Sequence, residues 1–543
     1  MTPAQDDFRF SDLRRGVPLI GWLIVALHAL VFASYAVLVP YYRSPDEIQH
    51  VDMAVHLAHS LDYPRPQQRQ ISLGVMNSTV EAGYGRVPTR SPTENRPLDA
   101  AAARPRRDRP SFDALGGDQP YVEGNQMGQH PPLYYAVAAV VLRVVPGSGH
   151  WPWDRVVHLL RLLSVLMVLP VPLLSFATAR RLGGSVAVGV TASLFTLAVP
   201  EFAHVGSSVN NDNLLVLLMS AAITLVAYVA TGDSSRRTAL LIGGLGALAL
   251  LTKGLVLFAP AWIVVVYGAV AWRRADSRFA WRGVVAAATA AALGGWWWLR
   301  NLAVYDAVQP RGLVGPPLAT SPAQRYTLAD KGVGWAERAA TLLSNRFWVE
   351  FSVTRNCTGP PLRATCVANP AAAWIPAWTT VASVVALALI AVAFWTARRR
   401  GVLPLIAVSL PFAAAFAQLV VVDWLEFSHS GAPSGLQGRY FYLALVAVAA
   451  LVALGAGALL PRHDRWLPLA MLACAAVLHA RTIMTILDTH WGGAADGLRV
   501  AAANATAWSA LPAGLVRLTW LCAAVLAVAV GVLGIRTVTR RQG

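Results

Sequence analysis

Long apolar segments recur along this chain, and most of them end in a short cluster of arginines. A helix needs roughly 20 apolar residues to cross a bilayer, and about twelve segments come near that length. Hydrophobic residues make up 56% of the chain and charged residues 13%, which is typical of a polytopic membrane protein. We therefore predict an all-α bundle of about twelve transmembrane helices, at residues 16–40, 156–179, 184–201, 210–230, 238–253, 254–272, 281–299, 372–396, 402–422, 439–460, 465–486 and 513–535.

The arginine clusters predict the orientation of these spans, because cytoplasmic loops carry an excess of Lys and Arg. If all seven clusters are cytoplasmic, both termini lie inside and the long loops lie outside. The clusters are Arg14/Arg15, Arg180/Arg181, Arg236/Arg237, Arg273/Arg274, Arg398 to Arg400, Arg462/Arg465 and Arg540/Arg541. The same distribution accounts for the net charge of +17 and argues against nucleic acid as a partner, since no basic stripe is formed.

This orientation divides the chain into seven regions. They are a cytoplasmic N-terminus at 1–15, a first transmembrane helix at 16–40, an extracytoplasmic loop at 41–155, transmembrane helices two to seven at 156–299, a second large extracytoplasmic loop at 300–371, transmembrane helices eight to twelve at 372–535 and a cytoplasmic tail at 536–543. Pro131 to Val145 is apolar but only about 15 residues long, and counting it as a span would invert every later arginine cluster. We predict a juxtamembrane or re-entrant helix there; a true span is the alternative.

Two adjacent carboxylates, Asp46 and Glu47, follow the first span directly. Ionisable groups at a membrane face cost free energy unless something uses them, which favours a functional site. A structural interpretation is also open. Ser44 with Glu47 three residues later forms the pattern of a capping box, and acids in a first helical turn offset the helix dipole.

The helix that follows these acids is predicted to lie along the membrane surface, with its polar face towards an aqueous cavity. Its apolar face carries Ile48, Val51, Val55 and Ala58, and its polar face carries Asp46, His50, Asp52, His56 and His59. Asp46 and His50 are four residues apart, a spacing at which side chains on a helix meet. The segment lacks the two-histidine spacing of a zinc helix, so no metal is assigned to it.

Other polar groups occur at span ends on the same predicted side of the membrane. They are His130, Arg161, Asp212, Lys253, Arg300 and Arg439. Each has an ordinary explanation, because arginine and lysine snorkel and Asp at a helix start is a common cap. Their concentration at one face, against arginines alone at the other, favours a shared binding site.

Cys357 and Cys366 lie nine residues apart in the second predicted outer loop, whereas Cys474 and Cys522 lie within apolar spans. A pair of cysteines on the oxidising side of a membrane predicts a disulfide that closes a small loop. A metal site is the weaker interpretation, because no second Cys/His pair accompanies them.

Several short motifs, taken in order, resemble those of the GT-C glycosyltransferases. They are Asp46-Glu47, His130-Pro-Pro-Leu-Tyr-Tyr135, Arg161-Leu-Leu-Ser164, Leu251-Thr-Lys-Gly254 and Trp298-Leu-Arg-Asn301. In pattern they are similar to protein O-mannosyltransferases and lipid A aminoarabinose transferases. Two further motifs, Asn210-Asn-Asp212 and Gln437-Gly-Arg-Tyr440, look more like a bacterial branch of predicted membrane proteins without a settled activity.

The resemblance implies an inverting transfer of one sugar from a polyprenyl-phosphate donor to a glycan, lipid or protein acceptor at the outer face of the plasma membrane. Asp46 matches the family's base position, where a carboxylate takes the acceptor's proton, and Glu47 would assist it. Cationic groups would stabilise the leaving phosphate. The candidates for donor and substrate binding are His50, His130, Arg161, Asp212, Lys253, Arg300 and Arg439. No cofactor is implied with certainty, and a divalent metal is left open because an obvious second acidic metal motif is lacking.

A transporter or flippase of a lipid-linked or anionic substrate is the rival interpretation. About twelve spans are common among transporters, and intramembrane charges often mark an ion path. However, the chain has no internal repeat relating its two halves, and its polar residues lie at span ends. These observations favour the transferase. A non-catalytic assembly subunit is a third interpretation, against which the intact acidic pair argues.

Overall fold

Helices dominate the computed structural model, which describes residues 17–83, 104–312, 328–350, 355–358, 365–399, 401–430 and 435–539. The helices of the first half are α1 Leu19–Leu38, α2 Glu47–His59, α3 Leu73–Glu81, α4 Leu133–Val144, α5 Trp153–Val168, α6 Val171–Arg181, α7 Val186–Phe195, α8 Pro200–Gly206, α9 Asp212–Thr231, α10 Arg236–Leu250 and α11 Ala259–Arg274. Those of the second half are α12 Ser277–Gly294, α13 Trp296–Tyr305, α14 Leu328–Trp348, α15 Ile375–Ala397, α16 Leu403–Ser430, α17 Leu445–Leu459, α18 Leu467–Trp491, α19 Gly493–Asp496, α20 Leu498–Trp508 and α21 Ala513–Thr539.

Nine helical stretches in the described part of the chain are long and apolar enough to cross a membrane, and ten if the bent pair α7 and α8 forms one span. This makes the chain an all-α polytopic membrane protein, as its composition predicts. Three of the twelve predicted spans are not among the nine. Residues 184–201 form the bent pair, with 62° between its helices. Residues 238–253 form only the 15-residue α10, and 281–299 is divided between α12 and α13 at Gly295.

Helices α10, α11 and α12 nevertheless pack together as a group within the bundle. The first two turns of α12 carry Arg278 and Arg282, which makes this helix less apolar than its neighbours. Close approach depends on small residues, because a Cβ at Gly243 would lie 2.7 Å from the carbonyl oxygen of Ala286. A similar contact joins α17 to α15, where a Cβ at Gly455 would lie 1.9 Å from the Leu389 carbonyl oxygen.

Contacts between chain segments next to the arginine clusters at 180/181, 236/237 and 462/465 place these clusters at one end of the bundle. Arg181 Nε donates to Thr231 Oγ1 at 2.6 Å, and Arg282 donates to the carbonyl of Ser234. Ser185 Oγ donates to Asp464 Oδ2 at 2.6 Å, which joins the loops after α6 and α17. The clusters at residues 14–15 and 540–541 lie outside the described residues. The candidate site residues lie at the opposite ends of these spans.

The apolar segment at Pro131 to Val145 forms α4, which packs against α2. It has 12 residues, so its length of about 18 Å is well short of the roughly 30 Å of a bilayer core. The backbone N–H of Leu133 donates to the carbonyl of Leu251 at 3.1 Å, which ties the start of α4 to the end of α10. This geometry agrees with a helix that lies beside the bundle end.

Two small antiparallel sheets complete the described structure. Strands β1 Gln70–Ser72 and β2 Pro120–Gly124 pair over α2, and strands β3 Arg355–Thr358 and β4 Thr365–Ala368 form the second pair. The register of the second pair places Cys357 directly opposite Cys366.

The second sheet carries the predicted disulfide, whose side chains lie outside the described part of the structure. We expect replacement of both cysteines by serine to lower stability by about 2–3 kcal/mol while leaving chemistry intact, because a short closed loop restricts the unfolded chain. Mass spectrometry of the protein without reductant would show a mass two hydrogens below that of the dithiol. Because Cys474 and Cys522 are free thiols, alkylation of all four cysteines in the denatured protein without reductant, Cys357 and Cys366 included, would contradict the prediction.

Candidate functional site

A polar cavity of about 340 Å³ lies at the end of the bundle opposite the arginine clusters. Six of the predicted site residues line it, although they come from five separate parts of the chain. They are Asp46, His50, His130, Asp212, Lys253 and Arg439. Amide side chains form much of the remaining wall, namely Gln126, Gln129, Asn210, Asn211, Gln309 and Gln418.

Asp46 enters this cavity from a strained turn. Its backbone adopts the left-handed conformation, with φ 59° and ψ 10°, and Tyr42 four residues earlier also has a positive φ of 67°. Non-glycine residues in this region are uncommon and occur often at functional sites. The Asp46 side chain makes no capping hydrogen bond to α2, and 25% of it is exposed. Its carboxylate is therefore directed to the cavity and does not serve as a helix cap.

The capping box predicted for Ser44 and Glu47 does not form. Ser44 Oγ lies 3.0 Å from His204 Nε2 on α8 and does not accept from the first turn of α2. Glu47 accepts the backbone N–H of Tyr42 at 2.8 Å and that of Val209 at 3.1 Å. Tertiary contacts replace the local pattern because both side chains are buried against other helices.

Glu47 and Arg161 form a buried ion pair outside the cavity wall. Arg161 Nη2 lies 2.6 Å from Glu47 Oε2 and Nε lies 2.8 Å from Oε1. Arg161 also donates to the carbonyls of Ala36, Val39 and Pro40, where α1 ends. The pair thus joins α1, α2 and α5, and these contacts assign a structural role to two residues that the sequence offered as catalytic and phosphate-binding candidates.

We expect Glu47→Gln to destabilise the folded protein by roughly 3 kcal/mol, because removing one partner of a buried ion pair leaves the other charge uncompensated. Glu81→Gln is the matched control, since Glu81 pairs with an Arg104 side chain that is 53% exposed. Exposed pairs contribute about 0–1 kcal/mol. Thermal unfolding in detergent measures both variants, and equal shifts in their midpoints would contradict the structural role of Glu47.

Arg439 connects the two carboxylates of the cavity. Its Nη2 lies 3.2 Å from Asp46 Oδ2, and its Nε lies 3.8 Å from Asp212 Oδ2. Lys253 Nζ lies 2.5 Å from the other oxygen of Asp212 and 4.2 Å from the centre of the Tyr440 ring. Two cations and two carboxylates therefore alternate along one wall.

The guanidinium of Arg439 is incompletely satisfied by the described residues. Its Nε and Nη1 are buried and have no hydrogen-bond partner there, and neither does Asp212 Oδ2. The whole side chain is only 5% exposed. A buried donor without a hydrogen-bond partner costs free energy and calls for an explanation such as a ligand, an ordered ion or a water molecule.

Two buried histidines complete the cavity wall. Burial, followed by the neighbouring His130, Lys253 and Arg439, holds the pKa of His50 well below its usual range. Burial and then Lys253 lower the pKa of His130 to about 3. Both rings are thus neutral at neutral pH. His50 Nδ1 lies 2.9 Å from the hydroxyl of Tyr135, which orients the ring, while His130 Nδ1 has no partner among the described residues.

The lowered pKa of His130 predicts a loss of stability in acid. The unfolded chain binds a proton on this histidine near pH 6.5, whereas the folded chain does so only near pH 3. The contribution to stability is therefore complete above about pH 6.5 and declines as the pH falls towards 3. Acidification from about pH 7 to about pH 5 should lower the unfolding temperature of wild type more than that of His130→Gln. Equal shifts of the unfolding temperature would show that His130 does not supply this pH-dependent part of the stability.

The prediction that α2 turns one polar face to one cavity is wrong. Asp46 and His50 line the cavity, but Asp52 is fully buried against the β1–β2 sheet. Asp52 accepts from Arg69 at 2.8 and 3.0 Å and from the backbone N–H of Ser72 at 2.8 Å. His56 pairs with Asp118 at 2.9 Å. The first loop folds over α2, so its polar residues serve two different networks.

Arg300 lies outside the cavity wall, whereas several unpredicted residues lie within it. Arg300 stands over the rings of Trp297 and Tyr305, at 5.0 and 5.4 Å. Three polar residues of α16 line the cavity instead: Gln418, Asp423 and Glu426. Two of these are acids just beyond an apolar span, which is the same signal that marked Asp46.

The sequence neither predicts nor excludes a divalent metal site. In the described part of the chain, no group of three or more His, Cys, Asp or Glu side chains is arranged to hold a metal ion. Asp46 and Asp212 each contact a cationic side chain instead.

Comparisons with known proteins give one family and one fold likeness. The sequence model of DUF2142, described as a predicted membrane protein, matches residues 29–452. Among solved structures, the chain is similar to ArnT from Cupriavidus metallidurans in the apo state, with 16% identity, a TM-score of 0.44, and coverage of 96% of this chain and 78% of that chain. For ArnT bound to undecaprenyl phosphate, the values are 17%, 0.42, 96% and 79%. No curated protein matches the chain.

Proposed function

The chain belongs to the DUF2142 family of predicted membrane proteins, and we propose that it is a glycosyltransferase. In this proposal it moves one sugar from a polyprenyl-phosphate donor to a cell-envelope glycan, lipid or protein, with inversion at the sugar. The resemblance of its motifs to GT-C enzymes suggests this reaction class. The geometry of the cavity supports it independently.

The observation that carries the proposal is the contact of Asp46 with Arg439 at 3.2 Å. A carboxylate that can take a proton and a guanidinium that can hold a phosphate are adjacent in one polar cavity. Nε and Nη1 of Arg439 have no hydrogen-bond partner among the described residues, and arginine matches the geometry of phosphate oxygens. The attacking oxygen and the leaving phosphate lie on opposite sides of the anomeric carbon in an inverting displacement. In this proposal the donor therefore separates the pair, so that Asp46 acts on the attacking oxygen and Arg439 on the leaving phosphate.

In the proposed reaction, Asp46 takes the proton of an acceptor hydroxyl as its oxygen attacks the anomeric carbon. General base catalysis of this kind contributes typically about 10²- to 10⁴-fold. The bond from the anomeric carbon to the phosphate oxygen breaks, and the negative charge passes to the lipid phosphate. Arg439 and Lys253 stabilise that growing charge, because both cationic groups are already held at the cavity wall.

Asp212, His50 and His130 have supporting roles in this proposal. Asp212 holds Lys253 at 2.5 Å and lies 3.8 Å from Arg439, so it keeps both cations at the wall before the donor arrives. The neutral histidines and the amide side chains offer donors and acceptors for sugar hydroxyls. The prenyl chain would lie along apolar helices at the bundle surface.

We place this cavity at the outer face of the plasma membrane. The described arginine clusters lie at the opposite end of the bundle, and arginines concentrate in cytoplasmic loops. A polyprenyl-phosphate donor would then be presented from the outer leaflet, with no nucleotide sugar required.

Purified protein in detergent, incubated with a panel of radiolabelled polyprenyl-phosphate sugars and cell-envelope acceptors, tests the proposal. We expect one donor to lose its label to an acceptor at a rate that Asp46→Asn reduces strongly. The transporter alternative predicts that the same protein in liposomes moves an intact labelled lipid or anion across the bilayer without forming a product. That outcome would contradict the transferase.

A further inference from the structure

Three buried polar side chains form a relay behind the turn that carries Asp46. Ser44 Oγ lies 3.0 Å from His204 Nε2, and His204 Nδ1 lies 3.1 Å from Glu201 Oε1. Their exposed fractions are 2%, 1% and 4%. Neither the proposed proton transfer nor the binding of the donor phosphate uses these groups. Three buried polar groups in a membrane-spanning bundle are costly, which indicates a specific role.

The order of the atoms is that of a serine–histidine–acid triad, in which the acid fixes the tautomer of the ring. Both ring nitrogens of His204 are engaged, Nδ1 by the Glu201 carboxyl group and Nε2 by the Ser44 hydroxyl. A nucleophilic role for Ser44 does not fit, because its hydroxyl is enclosed and the residue is absent from the cavity wall. The three residues of the relay therefore hold the chain in place, and Ser44 does not attack a substrate.

One end of the relay holds a strained segment. Ser44 lies two residues before Asp46, whose left-handed backbone is not secured by a side-chain cap. A conformation of this kind persists only when surrounding contacts determine it. The bond from Ser44 to His204 is one such contact, and it joins the turn to α8.

The other end of the relay reaches the element that packs behind Arg439. Glu201 Oε2 accepts the backbone N–H of Glu350, just after α14, at 2.8 Å. Helix α14 packs directly against the start of the span that carries Arg439. A Cβ at Gly438 would lie 2.2 Å from the carbonyl oxygen of Leu343 in α14. The relay and α14 thus connect the two halves of the cavity wall.

We propose that Glu201 and His204 are positioning residues, which act through Ser44 to hold the Asp46 turn where its carboxylate contacts Arg439. The kinetic consequence rests on the proposed transfer reaction. The structural consequence does not, because it concerns only the stability of the turn at residues 43–50.

The kinetic test uses a double-mutant cycle. Ser44→Ala should lower kcat by roughly 10- to 100-fold, because a displacement of about 1 Å can cost 10²-fold, while the KM for the donor stays unchanged. In the Asp46→Asn background, Ser44→Ala should have no further effect, since the group that it positions has already been removed. His204→Gln should repeat both results.

The structural test needs no activity. Hydrogen exchange followed by mass spectrometry should show faster exchange in the peptide covering residues 43–50 of Ser44→Ala, with unchanged exchange at the start of α9. Ser193→Ala is the matched control, because Ser193 is equally buried and donates to the carbonyl of Pro172 at 2.8 Å, away from the relay. We expect this control to leave both kcat and exchange at 43–50 at their wild-type values.

The kinetic cycle and the hydrogen-exchange measurement together separate the proposed relay from the proposed sugar transfer. Exchange at 43–50 that is equal in Ser44→Ala and wild type would overturn the relay, as would additive losses of kcat in the cycle. If wild type transfers no sugar at all, the transfer reaction fails. The exchange measurement then decides alone whether the relay holds the Asp46 turn.

Discussion

Asp46→Asn is expected to reduce sugar transfer by about 10²- to 10⁴-fold, the usual contribution of a positioned general base. Asparagine has nearly the same shape and tolerates the left-handed backbone well, so the turn should be preserved. It cannot take a proton from the acceptor. Steady-state kinetics on the purified variant, with unfolding measured in parallel, would separate the loss of chemistry from a loss of fold.

The donor should bind Asp46→Asn at least as tightly as wild type, because a negative charge beside the phosphate site has been removed. Asp306→Asn is the matched control, since Asp306 also has a left-handed backbone, with φ 52°, but lies outside the cavity wall. Its turnover should equal that of wild type. Near-normal transfer by a stable Asp46→Asn variant would remove Asp46 from the mechanism.

Arg439→Ala is expected to weaken donor binding as well as turnover. A charge-assisted hydrogen bond contributes about 1.5–3 kcal/mol, so the donor Kd should rise by roughly 10- to 100-fold. The drop in kcat/KM should be larger, because the charge on the leaving phosphate grows in the transition state. Arg439→Lys should recover part of the binding, since lysine keeps the charge but lacks the planar fork.

Arg300→Ala is the control for this prediction. The sequence offers Arg300 and Arg439 as equivalent phosphate ligands, but only Arg439 lines the cavity. Equilibrium binding of a labelled polyprenyl phosphate to wild type, Arg300→Ala and Arg439→Ala shows which arginine contacts the phosphate. Equal weakening by Arg300→Ala and Arg439→Ala would contradict the placement of the phosphate at Arg439.

The residues that the sequence correctly brings together are those at span ends on one side of the bundle. Asp46, Asp212, Lys253 and Arg439 could be grouped because helix ends on the same face must meet at the same bundle end. This argument needs only the helical periodicity of the apolar residues and the order of the apolar segments along the chain. It does not need the packing of individual helices.

The sequence could not separate structural charges from functional ones. Asp46 and Glu47 are adjacent acids, yet one faces the cavity and the other pairs with Arg161 in the protein interior. That difference arises from the left-handed backbone conformation of Asp46, which depends on contacts with distant helices. Helical periodicity predicts a single polar face for α2, but it does not show which of these residues a long loop will cover.

The acids of α16 were missed because hydropathy marks where a lipid-facing segment ends, not where a helix ends. The apolar pattern predicts a span that stops at residue 422, but the helix continues to Ser430 and places Asp423 and Glu426 in the cavity wall. Likewise, the predicted span at 184–201 ends at Glu201, and no motif in the sequence marks Glu201 or His204. Their partners lie more than a hundred residues away in the chain.

The most direct test of the central claim follows the anomeric centre and the lipid phosphate through one reaction. The account predicts that wild type releases one polyprenyl phosphate for each sugar transferred, and that NMR of the product shows the opposite anomeric configuration from the donor. Both signals should disappear together in Asp46→Asn. Product with retained configuration, or a donor that stays intact while it crosses a liposome membrane, would contradict a single displacement assisted by Asp46.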